Sequence, residues 1–261
     1  MELTDRVAVV TGGASGIGAA SARAFSQAGG IVAVLDRNGA GARAVAEEIK
    51  GLGVECDVGD EASITGALDQ VERQLGPVDV LFNNAGVATG GDILAVDPPV
   101  WDAQWKINVM AHVYAVRRVL PGMLERGDGY LVHTASMAGI LTTHGNSTYA
   151  TTKHAVVGLA EWLAITYHDR GVRTSLLAPL GVRTPMLGDV DPGTVSAVLG
   201  PIKEPEDVAQ MVVDAIREER FLILTDELAQ TWMDRKAGDL ERWLRGMRRM
   251  QSQMGGRRDR G

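Results

Sequence analysis

The run Val7-Ala8-Val9-Val10-Thr11-Gly12-Gly13-Ala14-Ser15-Gly16-Ile17-Gly18 passes from a short apolar stretch, through a glycine-rich turn, into the first residues of a helical pattern. Ile17, Ala20, Ala24, Phe25 and Ala28 recur at helical spacing, and Gly29-Gly30 stops the helix before a second apolar run, Ile31-Val32-Ala33-Val34-Leu35. Strands buried on both faces read as continuous apolar residues, so these residues predict one βαβ unit with a right-handed crossover. The missing β-carbons of the turn let backbone approach a ligand closely. The free amides and positive dipole end of the helix that follows favour a pyrophosphate there.

Outward from that unit the alternation continues. The pattern predicts a strand at 54–58, a helix at 61–75, a strand around Val78-Asp79-Val80-Leu81-Phe82 and a long helix at about 100–125. It then predicts a strand at 130–135, a helix at 149–169, a strand at 174–178, a helix near 205–219 and a last strand at 221–224. The fold class expected is α/β, a doubly wound seven-stranded parallel sheet flanked by helices, with a C-terminal helical tail over about 226–261. No repeat or composition break divides residues 1–261, which therefore read as one domain. The irregular stretch 185–205, with Gly188, Pro192, Gly193, Gly200 and Pro201, is the candidate for a mobile lid over a ligand.

With 261 residues, 45% hydrophobic and 23% charged, the chain can bury one large core, which excludes disordered and disulfide-scaffold classes. Cys56 is the only cysteine, and the polar start Met1-Glu2-Leu3-Thr4-Asp5-Arg6 is unlike a secretory leader, so a cytoplasmic protein is expected. The longest stretch without Asp, Glu, Lys or Arg, 129–152, is too polar to cross a membrane. The net charge of −7 argues against nucleic acid as a partner. From 235 to 261, however, nine Lys/Arg face three Asp/Glu. That tail reads as a solvated or subunit-contacting helix with a frayed end.

Asp36 ends the second strand eighteen residues beyond Gly18, where a carboxylate can accept from both hydroxyls of an adenosine ribose. Its charge repels a 2′-phosphate, which favours NAD over NADP, although Arg37 offsets part of that repulsion. Asp57, in Cys56-Asp57-Val58, is placed either to meet the adenine edge or to cap a loop. Asn83-Asn84-Ala85-Gly86 follows the fourth strand, where amides can tie strands together and small residues leave room for a ligand. Tyr149 and Lys153 share a helix face at i, i+4. A phenol with an ordinary pKa of about 10 is a poor base, and a neighbouring ammonium lowers that value. Tyr149 would then exchange a proton with an alcohol, and Ser136, with twelve residues between it and Tyr149, would bind the same oxygen. Taken alone, a Tyr-x-x-x-Lys pair is also a common surface helix pair.

Together these residues resemble the short-chain dehydrogenase/reductase family over nearly the whole chain. The resemblance rests on Thr-Gly-x-x-x-Gly-x-Gly at 11–18, Asp36, Asp57, Asn-Asn-Ala-Gly at 83–86, Asn108, Ser136 and Tyr149-x-x-x-Lys153, in that order and spacing. It implies a Rossmann-type NAD(P)-dependent oxidoreductase with Asn108, Ser136, Tyr149 and Lys153 as catalytic residues. The cofactor set it implies is Gly12, Ser15, Gly16, Ile17, Gly18, Asp36, Arg37, Asp57, Val58, Asn84, Ala85, Gly86, Tyr149, Lys153, Pro179, Val182 and Thr184. It also implies a water held at Asn108, a nicotinamide ribose bound by Lys153, and a homodimer or homotetramer paired through the helices at about 100–125 and 149–170. One departure stands out. The family has Pro-Gly after the sixth strand, where this chain has Pro179-Leu180-Gly181, so Leu180 is expected to narrow the nicotinamide pocket.

Loops after the fourth, fifth and sixth strands are expected to bind the substrate, through Ser136, Met137, His144, Tyr149 and Met186, with Val87, Ala88, Ile140, Leu141 and Leu187 nearby. None of these is Arg or Lys, which predicts an uncharged, hydrophobic secondary alcohol or its ketone. His144 is either a supporting hydrogen-bond partner or a substrate contact. The five histidines form no cluster of metal-ligand spacing, so no metal is expected. Trp232, Met233, Trp243, Met247 and Met250 fall near helical spacing and predict packing against the body or a sister subunit. NADP preference, a cofactor sensor without turnover and a basic-tail docking protein are the competing readings. An intact Asn108, Ser136, Tyr149 and Lys153 set weighs against the sensor; salt-dependent binding lost with the residues after Arg245 would mark the docking protein.

Overall fold

A computed structural model of the chain describes residues 1–188 and 200–258, the last five of these by their backbone. Seven parallel strands form one sheet in the order β3-β2-β1-β4-β5-β6-β7. They are β1 Val7–Thr11, β2 Ile31–Asp36, β3 Leu52–Glu55, β4 Val80–Asn83, β5 Gly129–Thr134, β6 Val172–Ala178 and β7 Leu222–Leu224. β1 pairs with β2 on one side, Val7 against Ile31, and with β4 on the other, Ala8 against Val80. The winding reverses between β1 and β4. In open α/β sheets that switch point leaves a crevice at the carboxyl ends of the strands, where ligands bind.

The sheet is buried on both faces because apolar residues dominate both sides of its central strands. Ala8, Val10, Val34 and Phe82 point to one side and pack against α1 (Gly16–Gln27), α2 (Gly39–Glu48) and α8 (Pro205–Glu218). Val7, Val9, Leu35 and Leu81 point to the other and meet α3 (Glu61–Leu75), α5 (Ala111–Arg126) and α7 (Ser147–Tyr167). Phe25 and Phe82 are fully buried with ring centres 6.1 Å apart; truncating Phe25 to alanine would cost about 3–5 kcal/mol.

The strand count, parallel order and most helices match the expectation, and three differences are informative. The helix expected at 100–125 is two helices, α4 (Pro98–Trp105) and α5, joined by a π-helical turn at Lys106–Met110. Such wide turns give no sequence signal of their own and tend to fall at functional sites. α2 was not anticipated because its apolar residues are mostly alanines, which blur the periodicity. β3 ends at Glu55, so Asp57 and Val58 lie in the loop after it. A short α6 (Ala138–Leu141) follows β5, and the tail forms α9 (Glu227–Gly238) and α10 (Leu240–Arg258). Of the stretch expected to be a lid, residues 189–199 lie outside the described residues, as does 259–261 of the tail. Among the described residues no helix is long and apolar enough to cross a membrane, and no cluster suits a metal ion.

Candidate active site

A cleft of about 1770 Å³ opens at the switch point. Every residue expected to bind cofactor or substrate lines it except Gly18, and of the four expected catalytic residues only Asn108 stays behind its wall. Gly12 adopts φ +64°, and a β-carbon there would sit 2.8 Å from the Ala85 Cα; Gly16 adopts φ +52° and packs on Thr184. Gly18 has no room at all, since a β-carbon would lie 2.1 Å from the Gly12 carbonyl oxygen. Gly18 therefore closes the turn onto the helix, which is why it does not face the cleft. Ser15, at the N-cap of α1, makes no side-chain cap, and the first turn holds no acidic residue. Uncapped amides at a helix start beside a glycine turn fit a pyrophosphate.

Asp36 is fixed by its own neighbours, Oδ2 accepting from the Ala14 amide at 3.1 Å and Oδ1 from the Asn38 amide at 2.8 Å. The carboxylate therefore faces the cleft with its orientation set in advance. Asp57 Oδ1 accepts from the Gly59 amide at 2.9 Å, so the loop-capping role left open by the sequence is present, and the residue also lines the cleft. Asn84 ties three strands: its Nδ2 donates to the Thr11 carbonyl at 3.1 Å, and its Oδ1 accepts from Thr134 Oγ1 at 3.2 Å.

The half-buried Asn146 caps α7 through Oδ1, which accepts from the Tyr149 amide at 3.0 Å, while its Nδ2 donates to the Ala88 carbonyl. That cap pins the helix carrying Tyr149 and Lys153 to the loop after β4. Lys153 Nζ donates to the Thr134 carbonyl at 2.9 Å and lies 5.7 Å from the centre of the Tyr149 ring. Burial raises the Tyr149 phenol above its ordinary value, opposed by the Ser136 hydroxyl. Burial also lowers Lys153 to about 8. The sequence predicts that the lysine pulls the phenol down; in the folded chain burial dominates, and the opposing influence is Ser136 rather than Lys153. Asn108, fully buried in the π-helical turn, clasps the Val87 backbone, accepting from its N–H at 2.8 Å and donating to its carbonyl at 2.9 Å, and donates to Thr152 at 3.1 Å.

His144 lines the cleft, and its Nε2 has no hydrogen-bond partner among the described residues. Leu180 also lines the cleft; its amide donates to Thr225 at 3.1 Å, and Val182 bridges to Lys203. Sequence reasoning missed two features. One is His112 on α5, whose Nδ1 meets Nδ1 of His133 on β5 at 2.9 Å, both rings buried. The other is the reach of the tail: α9 and α10 form a wall of the cleft and bring Arg235, Arg242 and Arg249 to it. The expectation of an uncharged substrate considered the loops alone; these helices add arginines to the lining.

The model of the short chain dehydrogenase family matches residues 6–194. The 1-deoxy-11-beta-hydroxypentalenate dehydrogenase of Streptomyces exfoliatus is 35% identical over 250 residues, covering 88% of this chain and 86% of that protein. Among solved structures, a short chain dehydrogenase/reductase from Burkholderia phymatum in complex with NAD matches with a TM-score of 0.84 at 29% identity, over 92% of this chain and 96% of that one. The 3-ketoacyl-(acyl-carrier-protein) reductase of Brucella melitensis, complexed with NADH, gives 0.81 at 28% identity, over 86% and 98%. The chain belongs to the short chain dehydrogenase family. It is accordingly an NAD(P)-dependent oxidoreductase acting on CH–OH groups.

Proposed function

We propose that this chain uses NAD to interconvert a hydrophobic secondary alcohol and its ketone, with Tyr149 as the acid and base. The observation that carries this reading is the placing of Tyr149, Ser136 and Lys153 together on the cleft at the switch point. Bound NAD would supply the redox step, taking up or returning the carbinol hydrogen as hydride. The glycine turn and the uncapped start of α1 would hold its pyrophosphate, and Asp36 its adenosine ribose.

Ser136 donates to the substrate oxygen and orients it toward Tyr149. Tyr149 as the phenolate then takes the alcohol proton at its oxygen, or as the phenol gives that proton to the ketone oxygen in the reverse direction. Lys153, held by the Thr134 carbonyl, keeps its charge close to that oxygen in a site where water does little screening. Asn108 acts one layer back, fixing the Val87 backbone and with it the loop beside the pocket. Met137, Leu141 and Trp243, which belong to one packed cluster, offer an apolar surface for the body of the substrate. Two solved relatives are complexes with NAD and NADH, which supports NAD over NADP alongside Asp36. The outer side of α7 leaves Trp162 and Ile165 exposed, 55% and 84%, which supports assembly with a second copy through α5 and α7.

The test is NADH formation at 340 nm with a panel of apolar secondary alcohols, repeated with NADP. Turnover with NAD and not NADP is expected. Preference for NADP would overturn the role given to Asp36, and tight NAD binding with no turnover of any secondary alcohol would favour a sensor.

A further inference from the structure

We propose that the cleft also holds an anion subsite: α10, with the end of α9, recognises a carboxylate carried on the apolar body of the substrate, through Arg242 and Arg249 with Arg235 beside them. This deepens the oxidoreductase reading and rests on it. The helices concerned lie beyond residue 194, past the part of the chain matched by the family model.

The wall they form is anchored. Ala229 is fully buried, Trp232, Met233 and Trp243 pack on Met137, Leu141 and Ala178, and the Lys236 ammonium donates to the Ile140 carbonyl. These contacts tie the tail to the segment just after Ser136, so the wall stands over the place where chemistry is expected. Asp239 then caps α10, its Oδ1 accepting from the Arg242 amide at 2.8 Å.

On α10 the cleft meets Arg242, Trp243, Gly246, Met247, Arg249 and Met250. At roughly 100° per residue, Arg242 and Arg249 fall on nearly one line, two turns apart, and Trp243, Met247 and Met250 make the adjoining stripe. The wall is thus apolar on one side and cationic on the other. Arg245 and Arg248, on the same helix, do not line the cleft.

The charges on this wall are uncommitted. Arg6, Arg23, Arg118, Arg173, Arg183 and Arg217 each pair with a carboxylate, as an acidic chain readily allows. Among the described residues Arg235, Arg242 and Arg249 have no side-chain hydrogen bond and no ion pair. Two carboxylates share the wall, but Asp239 serves as the helix cap and Asp234 accepts from Gln230 Nε2 at 2.8 Å. A planar guanidinium fork is matched by a carboxylate in bidentate geometry, and an apolar stripe beside it selects an amphiphilic acid over a sugar acid.

The experiment compares hydroxycyclohexanecarboxylates and secondary hydroxy fatty acids with their methyl esters, in the full-length wild type and in Arg242→Gln/Arg249→Gln. The readouts are kcat/KM with NAD and equilibrium binding of each acid to the enzyme–NADH complex at low and high salt. We expect the wild type to favour acid over ester by tenfold or more, mostly in KM, with the ratio collapsing toward one in the variant and at high salt. Equal use of acid and ester by the wild type, or an unchanged ratio in the variant, would overturn the subsite. If acids bind the wild type and not the variant while no alcohol is oxidised, the subsite stands and the oxidoreductase reading falls. Oxidation of esters without discrimination gives the reverse.

Discussion

Lys153 Nζ stands 5.7 Å from the centre of the Tyr149 ring, with both residues on α7. Among the described residues the ammonium donates to one acceptor, the Thr134 carbonyl at the end of β5. Burying a charge that close to a phenol is costly to the fold and useful to acid–base chemistry, and the cost is measurable.

Lys153 has a folded-state pKa of about 8, below its ordinary 10.5. Between those values the unfolded chain binds the extra proton, so stability climbs with pH from about 8 to 10.5 and the full penalty applies below 8. Lys153→Met should therefore stabilise the protein at pH 7, by up to about 3 kcal/mol, and gain much less above pH 10. Urea unfolding at the two pH values checks it. A variant less stable than wild type at pH 7 would show that the Thr134 hydrogen bond outweighs the burial cost.

The His112 and His133 pair should behave as a unit. Their Nδ1 atoms are 2.9 Å apart, so one ring donates to the other, while neither Nε2 has a partner among the described residues. Burial, and for His112 also the neighbouring His133 and Lys153, drives both below the ordinary 6.5, His133 to about 3. The unfolded chain then binds more protons from about pH 3 to 6.5, and stability falls as pH drops through that window. Either single leucine substitution should cost about 1–3 kcal/mol by stranding its partner, and the double substitution less than the sum. The double variant should also lose part of the acid sensitivity, as denaturation at pH 5 and pH 7 would reveal.

Asp36→Ala should move cofactor preference toward NADP by tenfold or more in kcat/KM, because the carboxylate is oriented by Ala14 and Asn38 before any ligand arrives. An unchanged ratio of NAD to NADP would mean that Asp36 does not read the ribose.

Much of the fold was legible because it rests on local patterns. The continuous apolar strands, the glycine turn at 11–18 and the Tyr149–Lys153 spacing are each contained in a short window. What escaped depends on contacts distant in sequence. His112 and His133 are ordinary residues until α5 is laid against β5, and the π-helical turn around Asn108 looks like helix in any periodicity. The tail read as an amphipathic helix, which it is; that its apolar stripe and arginine edge border the cleft follows only from how α9 docks on α6. The pocket was misjudged for that reason, since loops at strand ends announce themselves and a returning helix does not.

The most direct test of the central claim is Tyr149→Phe, measured for NADH formation and, separately, for NAD binding by calorimetry. The phenol oxygen is the only atom removed, and its ring packing remains. The account predicts NAD binding within about threefold of wild type and kcat lowered by about 10²–10⁴. A phenylalanine variant that retains more than a tenth of wild-type turnover would contradict it.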